Sequence, residues 1–219
     1  MRFSTNIYNQ VRDYIDKYRV VNFCNLHIHF YQISKSDLVE ICMGLYRRNQ
    51  IRYYQPKPRN PEKTLYFSVV FNPTSSRSVF ENNVDAITKC LTALETFKNN
   101  FKKSFRVVYD ELSFYPTVIK FGVVSKTTHE ESNIQLVYLP YSENNDLAEY
   151  IGRFYDQGYD DKYNIVRYVV VEVPGMLRGN SPQKIADSIP RVKGFVLCTK
   201  NGMSADFYAP EDLGVVINE

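Results

Sequence analysis

From Ser76 to Ser104 the chain runs SRSVFENNVDAITKCLTALETFKNNFKKS, without a proline or a glycine. Proline removes a helical amide donor and glycine loosens the backbone, so their joint absence predicts one long helix here. Asn82 and Asn83 weaken only its first turns. A helix of this length divides the chain into residues 1–75, a linker helix over 76–103, and residues 104–219. The charge divides at the same place. Residues 1–73 hold 11 Lys/Arg against 5 Asp/Glu, whereas residues 104–219 hold 11 against 16. A basic first part on an acidic remainder points to two regions with different partners, the basic one suited to a polyanion.

Length sets an outer bound. A chain of 219 residues, 44% of them hydrophobic, buries one sizeable core or two small ones. No apolar run approaches the ~18 residues that a membrane-spanning helix requires. The opening MRFSTNIYNQ lacks the apolar core of a secretory signal. Cys24, Cys42, Cys90 and Cys198 are scattered with no C-x-x-C pair, as expected of reduced thiols in a cytoplasmic protein.

Ahead of the long helix, Ser4 is placed to cap a helix whose Ile7, Val11, Tyr14, Ile15 and Tyr18 share one face, with Phe3 stapled against Tyr8. The segment VVNFCNLHIHFYQI predicts a second, more buried helix from about Phe23. In SKSDLVEICMGLYRRN, Ser34 with Asp37 resembles a capping box, and Leu38, Ile41, Cys42 and Leu45 keep helical rhythm. IRYYQ and TLYFSVVF then flank PKPRNPEK, whose prolines favour a turn between two strands. Across this hairpin, RRNQIRYYQPKPR (residues 47–59) carries five basic side chains and no carboxylate.

Three helices followed by a basic hairpin resemble a winged helix-turn-helix. The resemblance implies that the third helix enters the major groove of duplex DNA and that the hairpin is a wing on the backbone. Arg47 and Arg48 would end the recognition helix, with Lys35 near its start. Arg52, Lys57, Arg59 and Lys63 would be wing contacts. Tyr53 and Tyr54 point to opposite faces of a strand, so one of them, taken as Tyr54, would lie beside the backbone. Asp37, Glu40, Met43 and Gly44 depart from a base-reading helix, which leaves a protein-interaction adaptor as the alternative.

Beyond the long helix, FRVVYDELS, TVIKFGVVSK and NIQLVYLPY read as strands and ENNDLAEYIGRFYDQG as a helix. NIVRYVVVEVP is the most apolar strand, expected at the centre of a sheet. SPQKIADSI predicts a short helix, and KGFVLCTKN with SADFYAP closes the sheet. The expected class is α/β (α+β), with a mixed sheet and helices on its faces. This order resembles the restriction-endonuclease-like core, where a helix and a three-stranded meander precede a crossover helix and strand. With the winged helix, the layout resembles replication-relaxation-type and related families of Firmicutes mobile elements and plasmids. Active nucleases of that superfamily require an Asp followed by acid-x-Lys on the next strand. Asp110 supplies the first, but the triplet is Val118-Ile119-Lys120, with an alkyl side chain where the acid belongs. The resemblance therefore implies a non-catalytic relative, with no catalytic residue, metal or cofactor. An atypical metal-dependent nuclease is the remaining alternative.

Other chemistry is thin. Cys24-x-x-His27-x-His29 has a zinc-like look, but i and i+2 diverge on a helix and no second ligand pair follows. The loop in VEVPGMLRGNSPQ lacks phosphate-cradling glycines. Double-stranded DNA is thus the expected partner of an accessory or regulatory protein. In the long helix, Phe80, Val84, Ile87, Leu91, Leu94 and Phe101 form a heptad-like stripe broken by Lys98. Its C-terminal half is expected on the sheet, and Phe80, Val84, Ile87 and Leu91 in a homodimer seam.

Overall fold

The computed structural model describes residues 3–54, 66–68, 77–114, 117–139, 165–173, 183, 187, 195–199 and 205–208. Helix α1 (Thr5–Tyr18) is followed by strand β1 (Val20–Asn22), helices α2 (Phe23–His29) and α3 (Lys35–Arg47), and strands β2 (Arg52–Tyr54) and β3 (Tyr66–Ser68). The three strands form an antiparallel sheet in the order β1-β3-β2. Local chemistry accounts for the helix starts. Ser34 Oγ accepts the Asp37 amide at 3.2 Å, capping α3. At α2, Asn22 and Asn25 each accept the other's backbone amide, a reciprocal cap. Phe3 meets Tyr8 edge to face as a staple on α1. Strand β1 is absent from the periodicity reading because three residues carry no measurable pattern. Val20 and Val21 bury beside β3, and Asn22 then ends the strand by starting α2.

Helix α4 (Arg77–Asn100) leads into a six-stranded mixed sheet: β4 (Phe105–Phe114), β5 (Thr117–Ser125), β6 (Glu131–Leu139), β7 (Ile165–Val173), β8 (Phe195–Thr199) and β9 (Ala205–Tyr208). The strands lie in chain order, β4-β5-β6-β7-β8-β9. β4, β5 and β6 form an antiparallel meander, β6, β7 and β8 run parallel, and β9 returns antiparallel. The apolar run Val169–Val171 is buried inside β7, between β6 and β8. A parallel strand covered on both faces calls for this composition. The chain is therefore of the general α/β class, helices with a mixed sheet. The helix expected over 143–158 lies outside the described residues. No helix among the described residues is long and apolar enough to cross a membrane.

Helix α4 is a shared core element. Every residue from Ile87 to Glu95 is buried, which no amphipathic surface helix would show. One side meets the sheet: Phe97 packs against Phe105, Phe121 and Phe207, and Cys90 Sγ lies 3.6 Å from the Leu136 carbonyl oxygen. The other side meets α2 and β1. There Asn25 donates from Nδ2 to the Thr88 carbonyl at 3.1 Å and to Thr92 Oγ1 at 3.0 Å. Most of the buried apolar side chains among the described residues accordingly form one continuous cluster, from Tyr8 in α1 to Ala205 in β9; Val118, Val169 and Val171 are buried outside it. This corrects the dimer seam. Val84, Ile87 and Leu91 are 7%, 2% and 0% exposed, already covered by their own chain. The side chain of Phe80 lies outside the described ones.

Candidate nucleic-acid interface and a buried charge cluster

Two groups of charged side chains stand out, and they differ in every physical respect. The first is exposed. Lys35 opens α3, Arg47 closes it, Arg48 follows, and Arg52 begins β2, all four on the surface. Among the described residues, Lys35, Arg47 and Arg52 form no ion pair. Arg48 lies over the Tyr8 ring, 4.6 Å from its centroid, which fixes the guanidinium near the end of α3. Tyr53 is exposed and meets Tyr46 edge to face at 4.8 Å. Tyr54 pairs with Tyr66 in the ladder, but its side chain, like all of Lys57, Arg59 and Lys63, lies outside what is described. Gly44, unpromising in a base-reading helix, has a packing reason. A Cβ there would come within 2.8 Å of the Tyr8 ring, so glycine lets α1 cross α3 closely.

The second group is a cluster where α1, α2, α4 and β4 meet; periodicity names its Tyr14 and Tyr18 and the nuclease resemblance its Asp110, but nothing in the sequence brings them together with Lys17, His29, Glu95 and Lys98. A β-bulge explains why Asp110 turns inward. In β4, Val107 pairs with Val123 but Tyr109 with Gly122, leaving Val108 as the extra residue. Phe105 and Val107 pack on the core, and after the bulge Asp110 and Leu112 take over that face. Val108 and Tyr109 both turn outward and are exposed. Gly122 accommodates this, since a Cβ there would fall 2.3 Å from the Tyr109 ring.

Asp110 holds three donors. Its Oδ1 accepts from the Tyr18 hydroxyl and from Lys17, and its Oδ2 from Lys98 Nζ at 3.2 Å. One turn back along α4, Glu95 Oε1 accepts from Lys98 Nζ at 3.1 Å and from the Tyr14 hydroxyl at 3.2 Å. Glu95 Oε2 lies 2.9 Å from His29 Nδ1, and the imidazole stacks on Tyr14 with centroids 4.1 Å apart. Burial opposes the charge of Glu95, but the His29 hydrogen bond and the Lys98 charge outweigh it and hold the carboxyl below its ordinary range. Burial likewise opposes the charge of Asp110, and Lys98, Lys17 and Tyr18 prevail in the same direction. With Glu95 ionised, the imidazole proton belongs on Nδ1, leaving Nε2 outside this contact. Burial, then the neighbouring carboxylates, push the Tyr14 and Tyr18 hydroxyls up, so both stay protonated donors.

The acid-x-Lys comparison resolves geometrically. Asp110 faces the core, whereas Lys120 pairs in register with Glu111 and reaches its carboxylate at 4.0 Å on the opposite face. Asp110 and Lys120 therefore do not converge. Among the described residues no three His, Cys, Asp or Glu side chains gather as they would around a metal. His29 serves Glu95, and Cys24 and His27 do not join it in such a group.

No protein-family model matches the chain, and no curated protein is similar to it.

Proposed function

We propose that this chain binds double-stranded DNA through the basic surface around the end of α3 and the β2–β3 hairpin, as an accessory or regulatory protein. The observation that carries the proposal is the exposure of Arg47, Arg48 and Arg52 within one short stretch, with Arg47 and Arg52 in no ion pair among the described residues. Unpaired surface guanidinium groups are what phosphate neutralisation requires, because each displaces condensed counterions from the duplex. The element order α1-β1-α2-α3-β2-β3 and the β1-β3-β2 sheet support a winged helix, with α3 towards the groove and the hairpin as wing. Lys57, Arg59 and Lys63 extend the wing in this reading, and Lys35 and Tyr54 complete the DNA-facing group.

The six-stranded sheet, a meander followed by parallel strands, supports a restriction-endonuclease-like ancestry without cleavage. Asp110 is bound by three donors of its own chain and Lys120 faces away from it. One observation favours an adaptor instead. Val39, 40% exposed, and Glu40 occupy the outer face of α3 where base-reading side chains would stand. An electrophoretic shift of duplex DNA across a salt series separates the two, since an adaptor leaves the duplex unshifted at every salt concentration. Supercoiled plasmid incubated with the protein and Mg²⁺ is expected to stay uncut, and nicking that disappears in Asp110→Asn would contradict the non-catalytic reading.

A further inference from the structure

The six-stranded sheet ends at β4 on one side and at β9 on the other. Of these edges β4 is the longer, ten residues against four. Among the described residues β4 pairs with β5 alone, so its outer side offers backbone donors and acceptors to a further strand.

The bulge gives this edge a symmetry. From Phe105 to Leu112 the side chains point inward, outward, inward, outward, outward, inward, outward and inward. Phe105, Val107 and Leu112 pack on the core, and Asp110 joins Tyr18 and Lys98. Arg106, Val108, Tyr109 and Glu111 are exposed. The order reads the same in both directions about the Val108–Tyr109 peptide. A regular strand would send Arg106 and Glu111 to opposite faces, because residues five apart differ in parity. The extra residue sets both charges on one face, at equal distances from the centre.

A two-fold contact requires this symmetry, since residue i meets j while j meets i. Laid antiparallel about this centre, two β4 strands set each Arg106 opposite the Glu111 of the other copy. Each Val108 likewise meets the other copy's Tyr109. These two side chains are 48% and 45% exposed, and a β-branched residue opposite an aromatic one is a favourable cross-strand pair. Both charges are available. Arg106 forms no ion pair among the described residues, and Glu111 stays 60% exposed with Lys120 at 4.0 Å. To an unrelated strand the bulge and the charges are obstacles. A second copy in this register turns them into pairs.

We propose that β4 is the seam of a two-fold homodimer, pairing antiparallel with its own copy about Val108 and Tyr109. The seam is independent of the DNA-binding surface, whose Arg47, Arg48 and Arg52 lie at the end of α3 and in β2. It also differs from the α4 stripe, which its own chain covers.

Sedimentation velocity of the full chain over about 1–100 μM tests the proposal. The wild-type chain should dimerise within that range. Arg106→Glu sets glutamate against glutamate twice and should weaken dimerisation about tenfold or more. Glu111→Arg should act alike, through two pairs of arginines. Both reversals together restore the two ion pairs in the opposite sense and should return dimerisation to the wild-type level. That rescue separates pairing between copies from damage to one chain, and melting curves confirm that each variant is folded. Should a variant fail to fold, amide hydrogen exchange of the wild-type chain decides. Protection over residues 105–112 must then rise with protein concentration. A wild-type chain that stays monomeric throughout the range would overturn the proposal. So would a dimer indifferent to the single reversals, a double variant no better than either one, or protection centred elsewhere.

Discussion

The basic side chains of α3 and β2 and those of the charge cluster are the same residue types in opposite circumstances. Arg47 and Arg52 are exposed and form no ion pair among the described residues, whereas Lys98 bridges two carboxylates in a junction of four elements. An exposed cation adds little to folding and keeps its charge for a partner. The half-buried Lys98 is bound to its own chain, because removing it strands the buried Glu95 in a poorly solvated place. The contrast fits the recognition role proposed for the first group, while the second joins α1 and α2 to α4 and β4.

The largest break in that comparison should come from Lys98→Met. It keeps the stem but leaves Glu95 and Asp110 short of a cation; since Lys98 is only partly buried, the loss should be below the ~3–5 kcal/mol of a fully buried pair, about 1–3 kcal/mol. Urea unfolding followed by circular dichroism measures it. A loss well under 1 kcal/mol would mean that water reaches the cluster and that the junction is held by apolar contact alone.

Acid should loosen the same junction more gradually. Glu95 and Asp110 both have folded pKa values below their ordinary ones. Groups shifted in this direction contribute stability that is fully present above the unfolded carboxylate range, about 3.9–4.3. It is lost as pH falls through the lower folded values. Melting temperature should therefore hold from neutral pH to about 5 and decline below about 4. In Glu95→Gln the decline should be shallower, since one of the two linked protons is gone. An equal slope in the variant would show that other carboxylates govern acid unfolding.

How much of this was legible beforehand depends on the range of the interaction. The β-branched run of β7 announces a buried strand by composition alone, and the lack of proline and glycine announces α4. The heptad-like stripe of α4 is legible too, but what covers it is not. Thr88, Thr92 and Glu95 recur at helical spacing and look like a solvent face. They are buried because Asn25, Tyr14 and His29, distant in sequence, supply their partners. No local pattern encodes that pairing, so on periodicity alone the stripe has a face left over for a second copy. Asp110 illustrates a finer limit. Strict alternation from Phe105 and Val107 would turn Tyr109 inward and Asp110 outward. The one-residue bulge at Val108 reverses this, and only Gly122 on the neighbouring strand hints at it.

The smallest effect on stability should belong to the exposed group. Arg47→Ala with Arg52→Ala should change unfolding free energy by no more than about 0.5 kcal/mol, as surface substitutions away from special contacts do. Arg48 is left in place because its guanidinium packs on Tyr8. A loss of several kcal/mol would erase the distinction between the two groups of charges.

The same double variant provides the most direct test of DNA binding. Fluorescence anisotropy of a labelled duplex, titrated with the full chain at several salt concentrations, gives the slope of log affinity against log salt. The wild-type chain should bind every duplex with a steep negative slope. The double variant should flatten it by about 2, roughly one unit for each phosphate no longer neutralised. Absence of binding at low salt, or a slope unchanged by removing both arginines, would contradict the account.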